Sequence, residues 1–192
     1  GVREGTTPEE FAEAIRSGSV EELLIAVPAV PGSCHYLPSG TCHALGAGVL
    51  VAEIQIPSDT TFRVFDWGRT DRELHVESAL ECIDFGPLDA SAFEPGTEQS
   101  EDGATGRHLV SCEHFDIRHW ALPGHTRRTF GRAGVEALMI VAGSGVLRWG
   151  EAGHELAVHA GDTLLLPAAL PGTDVIASDD LELLEITIPD PP

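Results

Sequence analysis

PGSCHYLPSGTCHALG, residues 31–46, is rich in turn formers and nearly free of charge, yet it holds two of the chain's nine histidines. Gly32 opens a strand, the run Pro38 to Gly40 closes it with a turn, and His43 begins the next strand. This reading sets the His43 ring on one face of a sheet at a position fixed by the turn. Such a histidine either binds something or is a satisfied core or surface residue. Spacing alone does not choose between them.

Working outward, TTPEEFAEAI places Thr7 as a helix cap, Pro8 at the first helical position and Glu10 three residues after the cap. That pattern predicts a helix from Pro8 to Arg16. Ser19 and Glu22 repeat the device and predict a second helix with Val20, Leu23 and Leu24 on one side. From Ile25 onward the texture becomes that of strands: HYLP, GVLVAEIQI and TTFRVFDW, broken by Pro and Gly. Helical spacing returns at residues 74–85, LHVESALECIDF. Residues 86–107 have few large apolar side chains and several acids, a linker or long-loop composition that sets a boundary between domains 1–85 and 108–192. Beyond it, HFDIRHWAL, EALMIVAGSGVLRW, HELAVHAGDTLLLPA and LELLEITI read as strands with Gly-rich turns, the pattern of a β-sandwich or barrel. No helix is expected after Phe85.

Thirty-one acidic residues against eleven basic ones, all arginine, give a net charge of −20. That surface repels nucleic acid and anionic membranes, so neither is an expected partner. The absence of lysine excludes Schiff-base chemistry and a P-loop lysine within these residues, and leaves any anionic substrate to arginine or backbone amides. Cys34, Cys42, Cys82 and Cys112 form no CxxC pair, and reduced, mostly buried thiols are expected. No apolar run is long enough to span a bilayer, and a cytoplasmic location is expected.

The run Gly32-x5-Pro38-x-Gly40-x2-His43 resembles the second motif of the cupins, double-sheet jelly rolls in which this histidine is a metal ligand. GTCHALGAGVLVAEIQIPSDTTFRVFDWGR followed by RELHVESALECIDF is similar to the type I mannose-6-phosphate isomerases in their shorter bacterial form, continuously over residues 4–85. The resemblance implies a mainly β protein, with a partial first cupin, a complete but degenerate second one and a few short helices. It also implies a zinc-dependent interconversion of mannose 6-phosphate and fructose 6-phosphate. His43 then corresponds to a zinc ligand, Glu53 to an active-site carboxylate near the metal and Asp59 to a second acid of the pocket. Arg63 corresponds to the catalytic arginine, and Arg69 falls where a cation often stands near the sugar phosphate. Without the resemblance Glu53 and Asp59 read as solvated strand or turn residues, Asp59 equally as a turn cap, and Arg63 and Arg69 as surface ion-pair partners.

The chemistry asks for these residue types. Moving a proton between adjacent carbons through a cis-enediol needs a base while charge gathers on the sugar oxygens. A fixed arginine neutralises that charge without giving up a proton, and its planar fork suits a phosphate. The family's QxH motif, glutamate ligand and active-site lysine have no counterpart here, so the remaining zinc ligands are expected upstream of residue 1, and the 192-residue segment alone is expected to be inactive and largely metal-free. The second β module shows weaker cupin texture, with Thr129 and Gly131 where the first cupin motif would put histidines; His125, His154 and His159 are expected to be exposed or structural. The alternative is a non-catalytic cupin serving as a sugar-binding or assembly module. A cupin oxygenase is disfavoured because the chain has no HxH pair.

Overall fold

The computed structural model describes residues 1–58, 60–69, 71–87, 96–131, 134–170 and 172–189. The chain divides into two units, Gly1–Glu94 and Pro95–Pro192.

The first unit starts as its caps dictate. Helix α1 runs Pro8–Ser17, with the Thr7 hydroxyl accepting the Glu10 amide at 3.2 Å and the Glu10 carboxylate accepting the Thr7 amide at 3.0 Å. Its inner face buries Phe11 and Ala14 against Val2 and Val20, and Phe85 meets the Phe11 ring edge-on at 5.7 Å. The second expected helix is only a 3₁₀ turn, Val20–Leu23. Ser19 makes no capping bond there; its hydroxyl lies 2.9 Å from that of Ser17, and the chain leaves in extended conformation at Leu24. Helix α2, Val76–Cys82, falls within the expected 74–85.

The strands expected between Ile25 and Arg69 do not form ladders. No described residue of that stretch is in a helix or strand, and the strand that was to carry His43 is extended or turning chain. A strand is defined by a neighbour that takes its amides and carbonyls and covers its apolar face. Here the alternating side chains of GVLVAEIQI meet no such face: Val49, Leu50, Val51 and Ile56 are exposed, Leu50 at 98 %.

The second unit supplies the β content. Ten antiparallel strands, β1 Glu98–Glu101, β2 Ala104–Ser111, β3 Asp116–Leu122, β4 Arg127–Phe130, β5 Glu136–Ala142, β6 Ser144–Trp149, β7 His154–His159, β8 Thr163–Leu166, β9 Thr173–Ala177 and β10 Leu181–Thr187, form two sheets. One has the order β1-β2-β3-β10-β5-β8 and the other β4-β9-β6-β7, the double-sheet architecture of a jelly roll. Trp120, Leu138, Ile140, Leu181 and Leu183 from the first sheet pack with Phe130, Leu147, Val158 and Val175 from the second in one buried cluster. The four apolar runs read from the sequence are β3, β5 with β6, β7 with β8, and β10. Residues 98–101 and 104–107, assigned by composition to the loop, are β1 and the start of β2. β1 is an edge strand exposed along its whole length, which explains its polar composition.

A charged stack runs from the core of this sandwich to its exposed edge strand. The Arg128 guanidinium lies 3.2 Å from the centroid of the Trp120 ring and pairs with Glu101 at 3.1 Å, while Trp120 donates its indole N–H to Glu185 at 2.7 Å. Burial pushes the Glu185 carboxyl above the ordinary carboxylate range, with Glu136 adding to the shift and Trp120, Arg128 and Arg118 opposing it.

Candidate active-site residues

The turn before His43 is fixed by backbone geometry. Thr41 donates its amide to the Pro38 carbonyl at 3.0 Å, and Gly40 sits at φ +90. A Cβ on Gly40 would come within 2.7 Å of the Cys82 carbonyl oxygen, so the turn fits against the end of α2 only with glycine there. The Asp84 amide, bonded to the Gly40 carbonyl at 2.9 Å, closes the same contact. His43 is exposed, with Nδ1 at 2.9 Å from the Thr41 carbonyl. A carbonyl only accepts, so Nδ1 carries the proton and the neutral ring keeps a lone pair on Nε2, the arrangement common to metal-bound imidazoles. Burial raises the pKa of the neighbouring Cys42 thiol, which favours its neutral form; the four cysteines are unbridged and half-buried or, for Cys82, exposed, rather than mostly buried as expected.

The described residues do not themselves fit a zinc ion. No three His, Cys, Asp or Glu side chains among them stand together as a ligand set, and a zinc site takes three or four. Glu53 is exposed, and His43, Glu53 and Arg63 share no hydrogen bond or ion pair among the described residues. Asp59 lies outside the described residues.

The arginines are better placed. Arg63 is half-buried, and its backbone is tied to His75 twice: the Arg63 amide lies 3.3 Å from His75 Nδ1 and the His75 amide donates to the Arg63 carbonyl at 2.7 Å. These bonds close a loop from Arg63 to His75 at the start of α2. Within it, the Arg69 amide donates to the Asp66 carbonyl at 2.9 Å across a tight turn with Trp67 at φ +48 and Gly68 at φ +76. Left-handed conformation at both central residues is type I′ geometry, and a bulky tryptophan in it costs on the order of 1–3 kcal/mol. Asp66, whose side chain is 4 % exposed, pairs through Oδ1 with Arg69 at 2.9 Å and faces Arg72 Nε through Oδ2 at 3.8 Å. Asp66, Arg72 and His75 had no role in the sequence reading. The letters DWG and the two arginines that follow, Arg69 and Arg72, were visible, but not that one buried acid would face both.

In the second unit the positions where cupin histidines were sought are used for structure. Thr129 donates to Asp174 at 2.6 Å, and the Gly131 amide donates to the buried Glu136 at 2.8 Å. His125, His154 and His159 are exposed.

No protein-family model matches the chain. The mannose-6-phosphate isomerase ManA of Bacillus subtilis is 35 % identical to it over 170 residues, covering 86 % of this chain and 52 % of that protein. This chain is a relative of the mannose-6-phosphate isomerases. The Streptococcus mutans mannose-6-phosphate isomerase is 31 % identical over 187 residues, covering 94 % of this chain and 56 % of its own length. The crystal structure of the Bacillus subtilis mannose-6-phosphate isomerase superposes with a TM-score of 0.84 at 29 % identity, covering 96 % of this chain and 58 % of that one. The fold is mainly β, of the cupin type shared with that isomerase. The chain thus spans little more than half the length of the isomerases it matches.

Proposed function

We propose that this chain is the C-terminal portion of a zinc-dependent aldose-ketose isomerase that interconverts mannose 6-phosphate and fructose 6-phosphate. In this reading His43 supplies one zinc ligand and the others come from sequence upstream of residue 1. The His43–Thr41 bond, which leaves the lone pair of the neutral ring on Nε2, favours the ligand role. Arg63 stabilises the negative charge that gathers on the sugar oxygens as the cis-enediol forms, its half-buried position strengthening that interaction. Glu53 and Asp59 are the carboxylates offered for proton transfer between the adjacent carbons, and Arg69 contacts the phosphate. The substrate is a small phosphosugar, and the acidic surface argues against nucleic acid and anionic membranes as partners. No helix of the described residues is long and apolar enough to cross a membrane, and we place the protein in the cytoplasm.

The observation that supports this reading most is the Arg63–His75 closure, which holds the backbone of Arg63 at the start of a loop bearing two further arginines. The test is conversion of mannose 6-phosphate by the isomerase that contains these residues. Arg63→Ala is expected to lower kcat by about a hundredfold or more, the scale of losing one transition-state donor. His43→Ala is expected to lose zinc. An unchanged rate in the arginine variant contradicts the assignment. The second reading, a non-catalytic sugar-binding or assembly module, draws on the lack of a ligand set among the described residues; it predicts sugar binding with no turnover in any form of the protein.

A further inference from the structure

The other described ion pairs of arginine match one cation to one carboxylate: Arg16 to Glu13, Arg118 to Asp116, Arg127 to Asp174, Arg128 to Glu101 and Arg148 to Glu155. Among the described residues Asp66 alone is shared between two arginines, Arg69 and Arg72; Asp116 is shared by Arg118 and His108. The shared acid is also the buried one, while the two guanidinium side chains remain 54 % and 49 % exposed. Oδ2 of Asp66 is buried without a hydrogen bond, its nearest cation being Arg72 Nε at 3.8 Å. A buried carboxylate with one unbonded oxygen is costly, and so is the left-handed Trp67 that brings Arg69 back onto it. Both costs serve one arrangement: Arg69 is held through Nη2 on Asp66 Oδ1 at 2.9 Å and through Nε on the Asp66 carbonyl at 3.4 Å, and Arg72 Nε faces Oδ2 of the same acid at 3.8 Å. A guanidinium has five N–H donors, so each keeps several for a second anion. The loop's other acids, Asp71 and Glu73, are exposed and make no ion pair among the described residues, so they do not claim these forks.

We propose that Arg72 is a second phosphate-binding residue beside Arg69, and that Asp66 is the positioning residue that orients both guanidinium groups toward one phosphate monoester. This rests on the isomerase reading for Arg69 as a phosphate contact and for the identity of the sugar. The triad itself carries one net positive charge on a chain of net charge −20 that has no lysine, and the exposed Asp71 and Glu73 oppose it, so capture of a dianion rests on the donors of the two forks rather than on the field of the loop. Each planar fork can donate to two phosphate oxygens at once, which a lysine point charge cannot imitate.

The experiment is titration of the chain with inorganic phosphate, mannose 6-phosphate and mannose, read by calorimetry and by the fluorescence of the exposed Trp67. Phosphate and mannose 6-phosphate are expected to bind, and mannose is not. Arg72→Ala is expected to weaken phosphate binding by about tenfold, Arg72→Lys by several-fold, and Arg16→Ala not at all. Asp66→Asn decides the positioning role, because it raises the local positive charge. Weaker binding in that variant, with an unaltered circular dichroism spectrum, supports positioning, and tighter binding overturns it. Arg72→Ala binding phosphate like the parent chain, or a parent chain that binds none, overturns the proposal. In the active isomerase the same variant is expected to raise KM for mannose 6-phosphate with kcat retained. An unchanged KM there, with turnover still lost in Arg63→Ala, would sink the phosphate seat and leave the isomerase reading intact. Phosphate bound through Arg72 by a protein that never isomerises mannose 6-phosphate would do the reverse.

Discussion

The two units were read from the same kind of sequence, short apolar runs punctuated by Gly and Pro, and they end in different states. In the second, each expected run finds a neighbour: β10 pairs with both β3 and β5, and its Leu181 and Leu183 enter a core closed by the opposite sheet. In the first, GVLVAEIQI keeps its alternation but no strand among the described residues pairs with it, and Val49, Leu50, Val51 and Ile56 stay exposed. Period-2 patterning therefore states which face a strand would bury; whether the strand exists depends on a partner elsewhere in the protein. The residues matching the isomerase site lie in the unit without ladders.

Amide exchange breaks or sharpens this contrast most strongly. Amides of β5 and β10 are expected to be protected by about a thousandfold or more, since they open only with the whole core, and amides of residues 44–58 by about tenfold or less. Equal protection would show that the first unit holds a ladder after all. Next in size is the cost of a lost side chain. Leu138, fully buried in β5, should cost about 2–5 kcal/mol as Leu138→Ala in a denaturant melt. Leu50, 98 % exposed, should change stability by less than about 0.5 kcal/mol as Leu50→Ser.

Much of the fold was legible in particular residues. Thr7, Pro8 and Glu10 give α1 because capping is local chemistry, and the runs at β3, β5, β6, β7, β8 and β10 are apolar enough to declare themselves. The edge strand β1, exposed throughout, carries no pattern, and β4 and β9 are short, so they were not legible. At the candidate site, His43 and the arginines were visible as types. The Asp66 pairing was not, because it depends on burial of an acid at a left-handed turn that the letters DWG only hint at.

Two smaller effects test the local parts of each unit. Thr7→Ala removes a cap on α1 and should cost about 1 kcal/mol, read as a loss of helix stability by circular dichroism. In the second unit, burial makes the folded chain hold the Glu185 proton more tightly than the unfolded chain, whose ordinary value is 4.5. Folding then takes up a proton in the window above 4.5, so this group's contribution to stability is greatest below that window and falls as pH rises through it. Glu185→Gln keeps an oxygen for the Trp120 N–H and should flatten that slope in pH-dependent melts; an unchanged slope assigns it to other groups.

The most direct measurement is isomerase turnover together with zinc content of the 192-residue chain. The account predicts no measurable conversion of mannose 6-phosphate and far less than one zinc per chain, because a single histidine is no site by itself. Sustained turnover with one zinc bound per chain would contradict it.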